Sequence, residues 1–205
     1  MKYLDLKENL RDFVSFSVSD ILKIDAKFYA QRLSEWQRKG YIKKITKGYY
    51  TFSDTKINES VLSIIANRLY SPSYISLEMA LSFYGIIPES VYTITSITSR
   101  RTRNIKTEIG QFSYTSVRPD LFFGYRLEPH KQHNFMIAEP EKAILDFFYN
   151  NPGIDNQNSF YELRINKDSF SEKVDVKKLN GYLKLYKNQA LEQRIKKFIE
   201  FITHA

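Results

Sequence analysis

Along the first part of the chain, apolar positions fall at helical intervals among charged ones. Leu4, Leu6, Leu10 and Phe13 stand among charges over Lys2–Asp12, a spacing closer to helix than to strand. Ser17, followed by Val18, Ser19 and Asp20, sets a hydroxyl cap and an acid at the start of a brief helix running through about Lys23. Asp25 then caps a third helix that runs to Lys39, with Arg38 and Lys39 in its last turn and Gly40 behind them. On a helical wheel Ala26, Tyr29, Ala30, Leu33 and Trp36 gather on one side, and Lys27, Gln31, Glu35 and Arg38 on the other. Two β-prone runs, Tyr41–Thr46 and Tyr49–Phe52, are separated by Lys47–Gly48, the composition of a tight hairpin turn. Two helices meeting near Ile24, the second of them amphipathic, and then a hairpin predict a winged helix-turn-helix over Phe13–Phe52.

After Lys56 the pattern changes. Helices are expected over Asn58–Tyr70, with Val61, Ile64, Ile65 and Leu69 on one face, and over Leu77–Tyr84, ending at Gly85. Val91–Ser99 and Ile105–Val117 then read as strands joined by a basic loop carrying Arg100, Arg101, Arg103 and Asn104. Leu121–Leu127 and Asn134–Ile137 complete an antiparallel sheet. Glu139–Asn150 reads as a helix opened by Pro140, with Ala143, Ile144, Phe147 and Phe148 inward. Asp175–Tyr186 and Ala190–Ile202 are expected to be C-terminal amphipathic helices, with no internal repeat in the chain. The fold class expected is α+β: a winged helix-turn-helix domain over 1–56, then a mixed α+β domain over 57–205 with a linker at 151–158.

Composition narrows the chemistry. With 42% hydrophobic residues, 7 Gly and 6 Pro, the 205-residue chain has the makings of ordinary cores and little to suggest disorder. Having no cysteine, it has no disulfide framework, no thiolate nucleophile and no Cys-ligated zinc, which fits a reducing cytoplasm. Met1–Arg11 alternates charge with Leu, and no stretch approaches the roughly 20 apolar residues of a membrane helix. A cytoplasmic protein with neither a signal peptide nor a spanning helix is therefore expected. The formal net charge of +8 favours encounter with polyanions. It is concentrated early: residues 1–56 hold 12 Lys/Arg against 7 Asp/Glu, which is +5.

The winged segment Phe13–Phe52, the run Tyr74–Glu89 (YISLEMALSFYGIIPE) and the later run Ala138–Asp146 (AEPEKAILD) together resemble the abortive-infection antitoxin family of the AbiEi type. The resemblance spans most of the chain. It implies an N-terminal winged helix joined to a C-terminal antitoxin domain. It further implies repression of the chain's own toxin–antitoxin operon through inverted repeats, and counteraction of a nucleotidyltransferase-like toxin.

For DNA, the helix face needs donors for base edges and the hairpin needs cations for phosphates. Lys27, Phe28, Gln31 and Arg32 are the expected base readers: Gln suits adenine, Arg or Lys suits guanine, and an exposed Phe28 suits a thymine methyl. Lys43, Lys44 and Lys47 are expected to hold phosphates, whereas Glu35 would face them unfavourably. Arg100, Arg101 and Arg103 form a second basic patch, for DNA or for an acidic partner. His130 and His133 beside Glu128 have helical metal spacing, but Pro129 and the strand-like surroundings spoil it, so no metal site is expected. Glu139, Glu141 and Asp146 read as acids stabilising a helix start. Without a Walker loop, a glycine-rich nucleotide loop or a nucleophile elbow, neither enzymatic activity nor a cofactor is expected. One reading helix per chain implies two protomers on an inverted repeat, as a dimer or as cooperatively loaded monomers. The other reading open from the sequence is a protein-interaction or RNA-directed module in which the wing only presents a surface.

Overall fold

The computed structural model describes residues 1–88 and 91–204, and Glu89 of the second resembling run lies outside them. The chain is mixed α+β, with a 3-stranded and a 6-stranded sheet and a hydrophobic core beside each. The first part comprises α1 (Tyr3–Asn9), β1 (Phe16–Ser17), α2 (Val18–Ile24), α3 (Gln31–Arg38), β2 (Ile42–Thr46) and β3 (Tyr49–Phe52). Its sheet has the order β1-β3-β2, antiparallel throughout. Ser17 caps α2 as its sequence announces, its hydroxyl accepting from the Asp20 amide at 3.2 Å. Leu6, Leu10, Phe16, Ile21, Phe28, Leu33, Trp36, Ile42 and Phe52 close the smaller core.

The second part holds α4 (Glu59–Leu69), β4 (Ser73–Ile75), α5 (Leu77–Phe83), β5 (Thr93–Thr98), β6 (Arg103–Thr107), β7 (Gly110–Ser116), β8 (Tyr125–His130) and β9 (His133–Ala138). Four helices follow β9 and α6 (Pro140–Asn150): α7 (Gln157–Glu162), α8 (Lys167–Lys173), α9 (Val176–Tyr186) and α10 (Gln189–His204). Several expectations need correction here. The sheet, of order β6-β7-β5-β4-β9-β8, is mixed instead of antiparallel, because β5 runs parallel to β7 and β4 parallel to β9. The run Ile105–Val117 is two strands. The Thr107 hydroxyl receives the amides of Ile109 and Gly110 at 3.2 Å each and donates to the Gly110 carbonyl at 2.7 Å, folding the chain back. Leu121, expected to open a strand, ends a 3₁₀ turn over residues 119–121, and β8 starts only at Tyr125. At 151–158, expected as a linker, Ile154 packs on the large core and Gln157 already opens α7.

The acids near α6 also need correction. Asp146 does not serve the start of the helix. It lies in the helix interior, fully buried, where it pairs with Lys142 and accepts hydrogen bonds from the hydroxyls of Tyr74 (3.0 Å), Ser76 (2.8 Å) and Tyr186 (2.9 Å). One carboxylate thereby ties β4, the start of α5, α6 and α9 together. Gly124, at φ +67°, lets the chain pass over Lys142, since a Cβ there would lie 3.1 Å from that side chain and from Tyr182.

The two parts are in contact. Ile45 of β2 is buried in the larger core, and Arg68 of α4 reaches back to the first part, donating to the Ser15 carbonyl at 2.7 Å. From the β8–β9 turn, Gln132 donates to Asp12 at 3.1 Å.

Candidate nucleic-acid interface

The surface presented by α3 is set by how that helix begins. Asp25, expected as the cap of a long helix, ends α2 in extended backbone, and its carboxylate accepts the Lys27 amide at 3.1 Å, a side-chain turn spanning two residues. No α-helix is therefore formed over 25–30, and α3 starts only at Gln31. Two predicted positions change character. Lys27 is exposed but lies in the turn, off the helix. Phe28 is 8% exposed and packs on Trp36 with ring centroids 5.6 Å apart, so it is a core residue and not an exposed base contact.

Only Leu33 and Trp36 of the expected inner face are buried. Ala26 and Ala30 are exposed, and Tyr29 is 67% exposed. Opposite Leu33 and Trp36, helical geometry gathers Gln31, Ser34, Glu35 and Arg38. Gln31 keeps its expected place. Arg32 is exposed on the flank, where its guanidinium donates to the Met1 carbonyl and is partly committed. Arg38 stands on the polar face where the helical wheel put it, and Ser34, which the helical period also places there, completes the face. Glu35 carries its own compensation: Lys39 donates to it at 2.6 Å one turn on. That hydrogen bond holds the Glu35 carboxyl below, and the Lys39 ammonium above, its ordinary range.

The β2–β3 hairpin stands beside this helix. Gly48, at φ +82°, makes the turn after Lys47, and its carbonyl accepts the Val18 amide at 3.1 Å, which fixes the hairpin tip to α2. Ile42 and Ile45 point inward, and Lys43, Lys44 and Lys47 are exposed. Lys44 also lines a cleft of about 400 Å³ with Gln37, Lys106 and Glu108, where the hairpin meets β6.

The basic loop does not join two strands that pair with each other in antiparallel fashion. Because β6 pairs with β7 and not with β5, Arg100 and Arg101 lie on the connection between β5 and β6, and Arg103 opens β6. Arg100 and Arg103 both lean on the Tyr70 ring, 4.4 and 5.4 Å from its centroid, while the Tyr70 hydroxyl donates to the Arg101 carbonyl at 3.0 Å. All three arginines remain exposed. His130 and His133 face each other across the β8–β9 turn, and Glu128 pairs with Arg126 at 2.6 Å. Among the described residues no group of three or more ligand side chains is placed to hold a metal ion, and no helix is long and apolar enough to cross a membrane.

Comparison of the chain with protein-family models and with curated proteins gives no match.

Proposed function

We propose that this chain is a sequence-specific duplex-DNA binder in which α3 enters the major groove and the β2–β3 hairpin lies along the adjacent phosphates. The observation that carries this reading is a pair of exposed polar features on elements of the first part that pack together. Gln31, Ser34, Glu35 and Arg38 stand on the outer side of α3, and the exposed lysines 43, 44 and 47 belong to a hairpin whose β2 packs against α3 and whose tip is bound to α2. The element order of helix, strand, two helices and hairpin, with the first strand added to the hairpin, supports the winged-helix reading. Gln31 supplies a paired donor and acceptor for adenine, Arg38 supplies two donors for guanine, and the lysines supply mobile point charges for phosphate. With the family resemblance, this makes the chain a repressor of its own operon, acting as two protomers on an inverted repeat, and an antitoxin whose second part counters a nucleotidyltransferase-like toxin.

Selection of duplexes from a random library by the full-length chain tests the reading. Enrichment of an inverted repeat supports it. A chain that enriches no duplex, or that binds single-stranded RNA equally well, contradicts it.

A further inference from the structure

The turn that withdraws Phe28 brings forward its neighbour. We infer that Tyr29 is the base-reading aromatic of this chain, its ring packing against the 5-methyl group of a thymine in the major groove. The inference rests on the duplex-DNA reading above and assigns one contact within it.

Tyr29 is held in place by its backbone. On one side, the Phe28 amide donates to the Asp25 carbonyl at 3.0 Å and the Phe28 ring is buried against Trp36. On the other, the Tyr29 carbonyl accepts the Arg32 amide at 3.0 Å, which joins it to the first turn of α3. A main chain hydrogen-bonded on both sides thus presents a side chain that is 67% exposed, with no hydrogen bond for its hydroxyl and no ring partner among the described residues. Its neighbours Ala26 and Ala30 are exposed and small, so the approach to the ring is open.

Position gives this exposure its meaning, since single exposed aromatics are ordinary on protein surfaces. A helix docked in the major groove contacts base edges with its N-terminal residues, and Tyr29 lies beside that end of α3, two residues before Gln31. The thymine methyl is the one apolar group on the major-groove edge of the bases, and an aromatic ring is a fitting partner for it. A tyrosine also loses little conformational freedom when it makes such a contact.

The test uses the full-length chain and the duplex it enriches from a random library, with each thymine replaced in turn by deoxyuridine, which removes only the methyl. One thymine position in each half-site should then weaken binding about fourfold, the worth of roughly one buried methylene-sized group. Tyr29→Ala should bind the thymine and deoxyuridine duplexes equally, and Tyr29→Phe should keep the discrimination. The inference is overturned if no thymine is sensitive, if the sensitivity persists in Tyr29→Ala, or if Tyr29→Phe loses it, which would mark a hydroxyl contact instead. A chain that enriches no duplex defeats the underlying reading along with this one. A chain that enriches a site indifferent to thymine methyls defeats this inference alone.

Discussion

The Arg68 guanidinium of α4 donates to the Asp20 carboxylate at 2.8 Å, and the same carboxylate oxygen receives the amide and the hydroxyl of Ser17 at 2.8 Å each. The cap of α2 and the joint between the two parts of the chain therefore share one charge. Burial by itself would raise the Asp20 carboxyl, but the Ser17 donors and Arg68 outweigh it and hold the group below its ordinary range. A carboxyl depressed by folding stabilises above its unfolded value of about 3.9, and that stability is lost as pH falls through the lower folded value. Asp20→Asn should cost about 1.5–3 kcal/mol at neutral pH, the worth of a charged hydrogen bond. Urea unfolding at neutral pH and at acid pH, stepped down from about 3.9 until the Asp20 carboxyl is protonated in the folded chain, reads this directly. The variant and the parent should differ in the first condition and converge in the second. An equal gap in both would show that the charge on Asp20 is not what matters.

Phe28 and Tyr29 are adjacent in sequence and opposite in consequence. Phe28→Ala removes a ring from the smaller core and should cost about 3–5 kcal/mol of stability. Tyr29→Ala alters an exposed site and should stay within about 0.5 kcal/mol. Thermal unfolding of the two variants checks the turn at 25–30: similar midpoints would mean that the longer helix, with Tyr29 inward, is the true one.

The buried pair Lys142–Asp146 has an asymmetric cost. Burial lowers the Lys142 pKa from its ordinary value, and its attraction to Asp146 opposes that. Removing one partner strands the other charge, so Asp146→Ala should cost about 3–5 kcal/mol, whereas replacing both, as Lys142→Met with Asp146→Leu, should cost much less. The Tyr74, Ser76 and Tyr186 hydroxyls left behind keep the double replacement from being free. Denaturant midpoints of the single and double variants decide; additive losses would contradict the pairing account.

On the DNA side, helix and hairpin variants should differ in kind. Gln31→Ala and Arg38→Ala should each relax preference at one base position, by about 1–3 kcal/mol. Lys43→Ala should weaken all duplexes alike. Competition binding against single-base variants of the enriched site separates the two patterns, and loss of specificity from the lysine variant would reverse the docking.

How legible this was in the sequence depended on the range of the interactions. Local signals carried well: the Ser17 cap, Pro140 at the first turn of α6, and the Lys47–Gly48 turn all stand where the pattern put them. The start of α3 did not carry, because Asp25 caps a helix or closes a two-residue turn with equal chemical ease, and the choice falls to the tertiary contact of Phe28 with Trp36. The parallel pairing of β5 with β7 is non-local, and the turn at Thr107–Gly110 is organised by a threonine hydroxyl that no glycine–proline signal announces. The burial of Lys142 and Asp146 was illegible for the same reason, since their hydroxyl partners lie some 40 to 72 residues away in the chain. Of the candidate site, the hairpin lysines and Gln31 were legible. Phe28 was misplaced, Arg38 was legible as an outer-face position but not as a base reader, and Ser34 and the exposure of Tyr29 emerged only with the structure.

The salt dependence of binding to the enriched duplex tests the central claim most directly. If hairpin lysines lie on phosphates, log Kobs should fall linearly and steeply with log salt, and each of Lys43→Ala, Lys44→Ala and Lys47→Ala should make the slope shallower by about 1. A shallow slope, or one that all three variants leave unchanged, would contradict the placement of this hairpin on DNA.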